Sequence, residues 1–138
     1  MKKPEQNYAL EWLKKAEHDL ITARTVLALT DGPTDTPSFH AQQAVEKALK
    51  GVLTWHGIAF GKTHDLLALF DQVAEFLPDL ARFEASFAAM NDYAVEARYP
   101  GDACEPDRID AMDALEVAEQ VVARITQYCG ISRAPVYR

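Results

Sequence analysis

The chain has no long apolar run. No window of its 138 residues approaches 18 consecutive apolar positions, so nothing in it reads as a membrane-spanning helix. The first residues, MKKPEQNYALEW, lack the apolar core of a secretory signal, and the expectation is a soluble, cytoplasmic protein with no membrane partner. Cysteine is scarce. Cys104 and Cys129 form no C-x-x-C pair and have no histidine at zinc spacing, so neither a metal site nor a disulfide framework is implied. No glutamate has a histidine three residues later, which excludes the di-iron helical bundles that need that pair. His40 has Lys50 and Gly51 only ten residues downstream, too far for a phosphotransfer histidine. Nothing alternates with period two and nothing repeats every 20 to 50 residues, so strands and solenoids are poor readings.

What remains is an apolar fraction of 49%, ordinary for a folded protein, in a chain of one-domain length that can bury about two thirds of its unfolded surface. The apolar spacing is helical throughout. Ala9, Leu13, Ala16, Leu20, Ala23 and Leu27 step by four and three, the mark of a long amphipathic helix from Glu5 to about Leu29. A second helix follows the loop TDGPTDTP, with Asp35 or Thr36 as cap, Pro37 in its first turn and Gly57 as its stop. A shorter third helix begins near KTHDLLAL, where Thr63 can cap. A fourth is expected from about Asp79 to Ala97 with Leu80, Phe83, Phe87, Met90 and Ala94 inside. RYPGDACEPD breaks the helical pattern. Asp107 then caps a last helix, whose core stripe is read through Ile109, Met112, Leu115, Val122 and Ile125 to a stop at Gly130. The predicted fold is all-α, an antiparallel up-and-down four-helix bundle with one additional short helix, over residues 1–130. Residues 131–138 form a short basic tail, expected to be mobile.

The net charge of −7 disfavours nucleic acid as a partner, since phosphate contacts supply most of that affinity. The distribution of charge argues otherwise. Between His40 and His64 stand Lys47, Lys50 and Lys62 against Glu46 alone, so this window is +2 and the rest of the chain −9. Three of the four histidines lie in it as well. On a helical wheel His40, Gln43, Lys47, Lys50 and Thr54 fall within an arc of roughly 80°. They make a row of donors with no acid among them and Glu46 to the side, opposite an apolar stripe rich in alanine. Such a row is either a solvated face, whose lysines contribute about 0 to 1 kcal/mol to folding, or a phosphate-binding face. His64, beside Lys62 and Thr63 at a helix N-terminus, stands where backbone N–H groups favour an anion. Asp19 reads as a polar group hydrogen-bonded at a bundle seam, His56 as a complement to a helix C-terminus, and Trp12 and Trp55 as packing residues.

Four blocks, WLKKAEHDLITA at Trp12 to Ala23, FHAQQAVEKALKGVL at Phe39 to Leu53, KTHDLLAL at Lys62 to Leu69, and Tyr93 with ARYP ending at Pro100, resemble the HEPN domain family of prokaryotes. The resemblance implies a bundle of four or five helices, usually a homodimer, often encoded beside a minimal nucleotidyltransferase in pairs that behave like toxin and antitoxin. It also implies a role in binding nucleotide or RNA, many members being metal-independent RNases. The RNase branch of the family uses an arginine followed closely by a histidine. Arg98, with Tyr99 and Pro100, matches the arginine and its neighbours. The histidine is missing: Ala103, Cys104 and Glu105 stand there, and no histidine follows His64. Proton transfer at a ribose hydroxyl needs a group that titrates near neutrality, so no catalytic residue is assigned and the enzyme reading is disfavoured. The expectation is a HEPN-like module without cofactor, binding nucleotide or RNA phosphate through His40, Gln43, Lys47, Lys50, Lys62, His64, Arg98 and Tyr99. A possible nucleotidyltransferase partner goes with it. An RNase with an altered site and a purely structural docking partner are the alternatives.

Overall fold

The structure is a computed structural model that describes residues 3–94 and 105–130. Among the described residues there are five α-helices and no strand: α1 Pro4–Leu27, α2 Asp35–Trp55, α3 Leu66–Val73, α4 Glu84–Met90 and α5 Arg108–Tyr128. None is long and apolar enough to cross a membrane. The tail 131–138, with Arg98, Tyr99 and Cys104, lies outside the described residues.

The bundle is organised around α2, which packs against α1, α5 and α3. Its small residues explain why. Ala41, Ala44, Ala48 and Gly51 are buried, and short side chains let neighbouring helix axes approach closely. At Gly51 the nearest atoms to a hypothetical Cβ would be Trp12 Cβ at 3.5 Å and the Ala9 carbonyl at 3.6 Å, both on α1. Leu20, Leu49, Leu53, Leu66, Leu69, Leu80, Phe87 and Ile125 fill the space between helices and are fully buried.

Helix ends follow local chemistry. Gly57 at φ +67 and Gly130 at φ +75 terminate α2 and α5 in the left-handed region that glycine enters without strain. Asp107 caps α5 by accepting from the Asp110 amide at 2.8 Å. The cap of α3 is Asp65 rather than the expected Thr63. Asp65 Oδ1 accepts from the Leu67 and Ala68 amides and from Asn91 Nδ2 at 2.9 Å, while Thr63 Oγ1 accepts from the Asp65 amide one step earlier.

Two helices differ from the sequence pattern. The run expected to be continuous from Asp79 is a 3-10 turn over Pro78–Phe83, then α4, then a 3-10 turn over Asn91–Tyr93; residues 95–97 lie outside the described residues. Leu77, Leu80 and Phe83 are buried at a spacing of three, which three residues per turn satisfies and 3.6 does not. On α5 the expected core residues Ile109 and Met112 are 68% and 52% exposed. The inward stripe is Ala111, Ala114, Ala118, Val121, Val122 and Ile125, because the alanines let α5 lie close to α2 and the larger residues of its first turns are rotated out.

Gly51→Ala should stabilise the protein by about 0.4 to 1 kcal/mol, since the added methyl meets only ordinary contacts and the unfolded chain loses freedom; urea unfolding reads the gain. Hydrogen bonds, first from Asn91 and then from the Ala68 amide, hold the Asp65 carboxyl below its ordinary value of 3.8. The folded state therefore favours the ionised form, and this contribution is present above that value and lost as pH falls through the lower folded one. Asp65→Ala should cost about 0.5 to 2 kcal/mol at neutral pH, with the gap to wild type closing on acidification.

Candidate functional site

The donor row of α2 is met by carboxylates from two directions. Asp19, in the middle of α1 and 7% exposed, faces its upper half. His40 Nδ1 donates to Asp19 Oδ1 at 2.8 Å and Lys47 Nζ to Oδ2 at 2.6 Å. The seam reading of Asp19 is thus realised with both carboxylate oxygens bonded. A buried charge is tolerated when it is paired and hydrogen-bonded in this way.

The lower half is organised by Glu46. Gln42, Glu46 and Lys50 follow one another at intervals of four, so they share a helix face, and that face is buried: Gln42 is 0%, Glu46 4% and Lys50 8% exposed. Glu46 Oε2 accepts from Lys50 Nζ at 3.0 Å. Its Oε1 accepts from His64 Nδ1 at 2.9 Å and, at longer range, from the amides of Gln42 and Gln43. Gln42 Nε2 also donates to the backbone carbonyl of His64 at 3.1 Å, and Gln43 Nε2 donates to Gln42 Oε1 at 2.7 Å. Lys50 lies between rings as well as beside its carboxylate, 5.8 Å from the Trp12 centroid and 5.7 Å from that of Phe60, where ring faces attract a cation.

The consequence for His64 is specific. Its ring and its own carbonyl are both held by α2, yet its side chain is 67% exposed. Donation from Nδ1 to a carboxylate sets the tautomer. Nε2 then stands as an acceptor in the neutral ring and as a donor in the protonated one, and it makes no hydrogen bond among the described residues. Lys47 is 24% exposed along its side chain and gives one ammonium proton to Asp19, so it retains donors for a ligand. Lys62 is exposed on the loop before α3.

The structure therefore brings His40 and Lys47 together on Asp19, and Gln43, Lys50 and His64 together on Glu46. It leaves Lys62 in solvent, and Arg98 and Tyr99 lie outside the described residues. The expected solvated character of the lysines holds in part for Lys47 and fails for Lys50, whose ammonium is inside. Sequence reasoning left Glu46 to the side of the row, did not single out Gln42, and placed Asp19 at a seam without linking it to the row; the i, i+4 spacing of Gln42, Glu46 and Lys50 was the available signal. His56 belongs elsewhere. It stacks on Phe76 at 3.7 Å and 8° and hydrogen-bonds Tyr128 Oη at 2.7 Å, and burial holds its imidazole below the ordinary value of 6.5. Cys129 is buried and its thiol is pushed up to about 11 by desolvation, which leaves it unreactive. Among the described residues no three His, Cys, Asp or Glu side chains are grouped to hold a metal.

Comparison with known proteins agrees with this architecture. A family model described as HEPN domain matches residues 9–128. A protein of Methanocaldococcus jannaschii named "Putative toxin MJ1304" is 29% identical over 136 residues, 88% of each chain. The crystal structure of TT1696 from Thermus thermophilus superposes with a TM-score of 0.70 at 30% identity, covering 88% of this chain and 98% of that one. ST0689, described as an archaeal HEPN homologue, shares the fold at a TM-score of 0.67 and 24% identity, over 88% of this chain and 97% of its own.

Lys50→Ala should destabilise folding by about 3 to 5 kcal/mol, because it leaves Glu46 charged and buried without its cation. An exposed lysine would cost about 0 to 1 kcal/mol. In a double-mutant cycle with Glu46→Gln, urea denaturation should give a coupling of about 0.5 to 3 kcal/mol; additive effects would mean that the pair does not act as one unit.

Proposed function

The chain belongs to the HEPN domain family, and we propose that it works as a binding module for the phosphate of a nucleotide or RNA. In this reading it acts with a minimal nucleotidyltransferase partner in a toxin–antitoxin-like pair and is itself a homodimer. The observation that carries the binding reading is His64. An acidic protein holds an exposed imidazole through a buried carboxylate, at the end of a stretch, His40 to His64, that is net positive. In its protonated form the ring offers Nε2–H to a phosphate oxygen as a charge-assisted donor, and a donor fixed in advance loses little freedom on binding. His40, Gln43, Lys47 and Lys62 join it on α2 and its following loop, with Lys50 behind them holding Glu46. Arg98 and Tyr99, which match the family motif, join it on sequence grounds. The toxin-like role is supported by the name of the Methanocaldococcus relative.

The geometry ranks these donors. Lys62, His64 and Lys47 can meet a ligand directly, whereas Lys50 acts through Glu46 by holding the carboxylate that orients His64. Both carboxylates of the row are occupied by their own cations, so neither is free to serve as a general base. That fits a binding module better than a hydrolase.

Titration with adenosine nucleotides and short single-stranded RNA tests the reading. His64→Gln and Lys62→Ala should each lower affinity on the order of tenfold, the equivalent of one charge-assisted hydrogen bond of about 1.5 to 3 kcal/mol, and flatten the dependence on salt. Binding by the double variant equal to wild type would remove these residues from the site. RNA cleavage that disappears on Arg98→Ala would replace binding with catalysis, and loss of a co-purified nucleotidyltransferase without loss of RNA affinity would make the row a docking face.

A further inference from the structure

Tyr8, Glu11, Trp12 and Lys15 wall an open groove of about 230 Å3 on the outer side of α1. Tyr8 is 68% exposed. A single tyrosine in water is ordinary, but this one stands four residues before Trp12, so two rings share one helix face. At 100° per residue the four groove residues fall within roughly 100°, and Asp19 falls in the same arc. Asp19 is the carboxylate that holds His40 and Lys47. The groove therefore lies in line with the donor row of α2, with Asp19 about 10 Å beyond Trp12 along the axis of α1.

Trp12 is also fixed to the residues around His64. Lys50 Nζ lies 5.8 Å from its ring centroid and holds Glu46, which in turn holds His64. Phe60 meets Trp12 edge-on, with centroids 6.2 Å apart and planes at 62°, and stands two residues before Lys62 in the loop that leads to His64. The groove and the exposed donors are thus anchored through the same contacts. Among the described residues Glu11 and Lys15 enter no ion pair. One ammonium and one carboxylate at the groove are left for a ligand.

We infer that Tyr8 and Trp12 form a stacking platform for an unpaired base of a single-stranded RNA whose phosphates meet Lys62 and His64. Lys15 supplies a further cation to the strand, and Glu11 an acceptor for an exocyclic amine of the base. The inference rests on the phosphate-binding reading and narrows it to single strands, because a duplex keeps its base faces inside its own stack. Bases stack on aromatic side chains whatever their sequence, and this contribution does not require a basic protein. A chain of net charge −7 gains little from long-range attraction to phosphate, so an affinity term of this kind fits it. The groove is smaller than the roughly 300 to 1,000 Å3 of pockets that enclose a small molecule, and it suits one flat ring laid on a surface.

The probes are a short single-stranded oligoadenylate and an abasic oligomer of the same length, titrated against the full chain by fluorescence anisotropy. Oligoadenylate should bind about fivefold or more tightly than the abasic strand, the equivalent of one stacked base. Tyr8→Ala should weaken oligoadenylate by a similar factor while leaving abasic binding and the melt unchanged, and Tyr8→Phe, which keeps the ring, should bind as wild type does. In a Trp55→Phe background Trp12 is the one tryptophan left, and its emission should be quenched by oligoadenylate but not by the abasic strand. Equal affinity for the two oligomers, or oligoadenylate binding untouched by Tyr8→Ala, would overturn the platform. Loss of a partner protein on Tyr8→Ala with RNA affinity unchanged would overturn it as well and give the face to that protein. The phosphate-binding reading fails by a different pattern: His64→Gln with Lys62→Ala would leave both oligomers bound as before, while a persisting effect of Tyr8→Ala would keep the platform.

Discussion

A helix enclosed by neighbours can hold charged side chains only if each meets an opposite charge, on its own helix or on a neighbour, because an uncompensated charge taken out of water costs several kcal/mol. This constraint governs α2. It lies against α1, α3 and α5 and carries Glu46, Lys47 and Lys50 in its buried or half-buried faces. Asp19 of α1 answers Lys47 and His40. Glu46 and Lys50 answer each other, and His64 closes over them from the loop before α3. The bonds to Asp19 and to His64 fix α1 and the loop before α3 against α2, so they act as register pins in an interface otherwise made of alanine and leucine.

The same constraint shapes the chemistry on offer. A carboxylate that must neutralise a buried lysine is not free to accept a substrate proton, and Glu46 and Asp19 are both in that position. What the arrangement leaves available is an oriented imidazole at the surface. The Trp12 and Phe60 rings over Lys50 take part by closing the ion pair off from water, which strengthens its hold on Glu46 and, through Glu46, on His64.

The donors are concentrated on α2 and the loop that follows it, while the carboxylates of α5 stand largely without cations at its first turns. In a molecule of net charge −7 the cations of α2 are matched inside by Asp19 and Glu46, whereas the carboxylates at the start of α5 face solvent.

Helix content and most helix ends were legible in the sequence because they depend on groups close along the chain: Gly57 and Gly130 stop helices by their own backbone freedom, and Asp107 caps with its own side chain. The row His40, Gln43, Lys47 and Lys50 was legible as well, since its spacing places it on one face of one helix. Other features were decided by tertiary structure alone. Lys50 is buried because Trp12, Phe60 and Glu46 surround it, and Lys47 has a counter-ion because α1 brings Asp19, 28 residues away, against it. Ile109 and Met112 face water because the alanines on the other side of α5 allow a closer approach to α2. A periodic pattern defines a helix and its faces, but which face turns inward is settled by how closely each can approach its neighbours and by which charges those neighbours can neutralise.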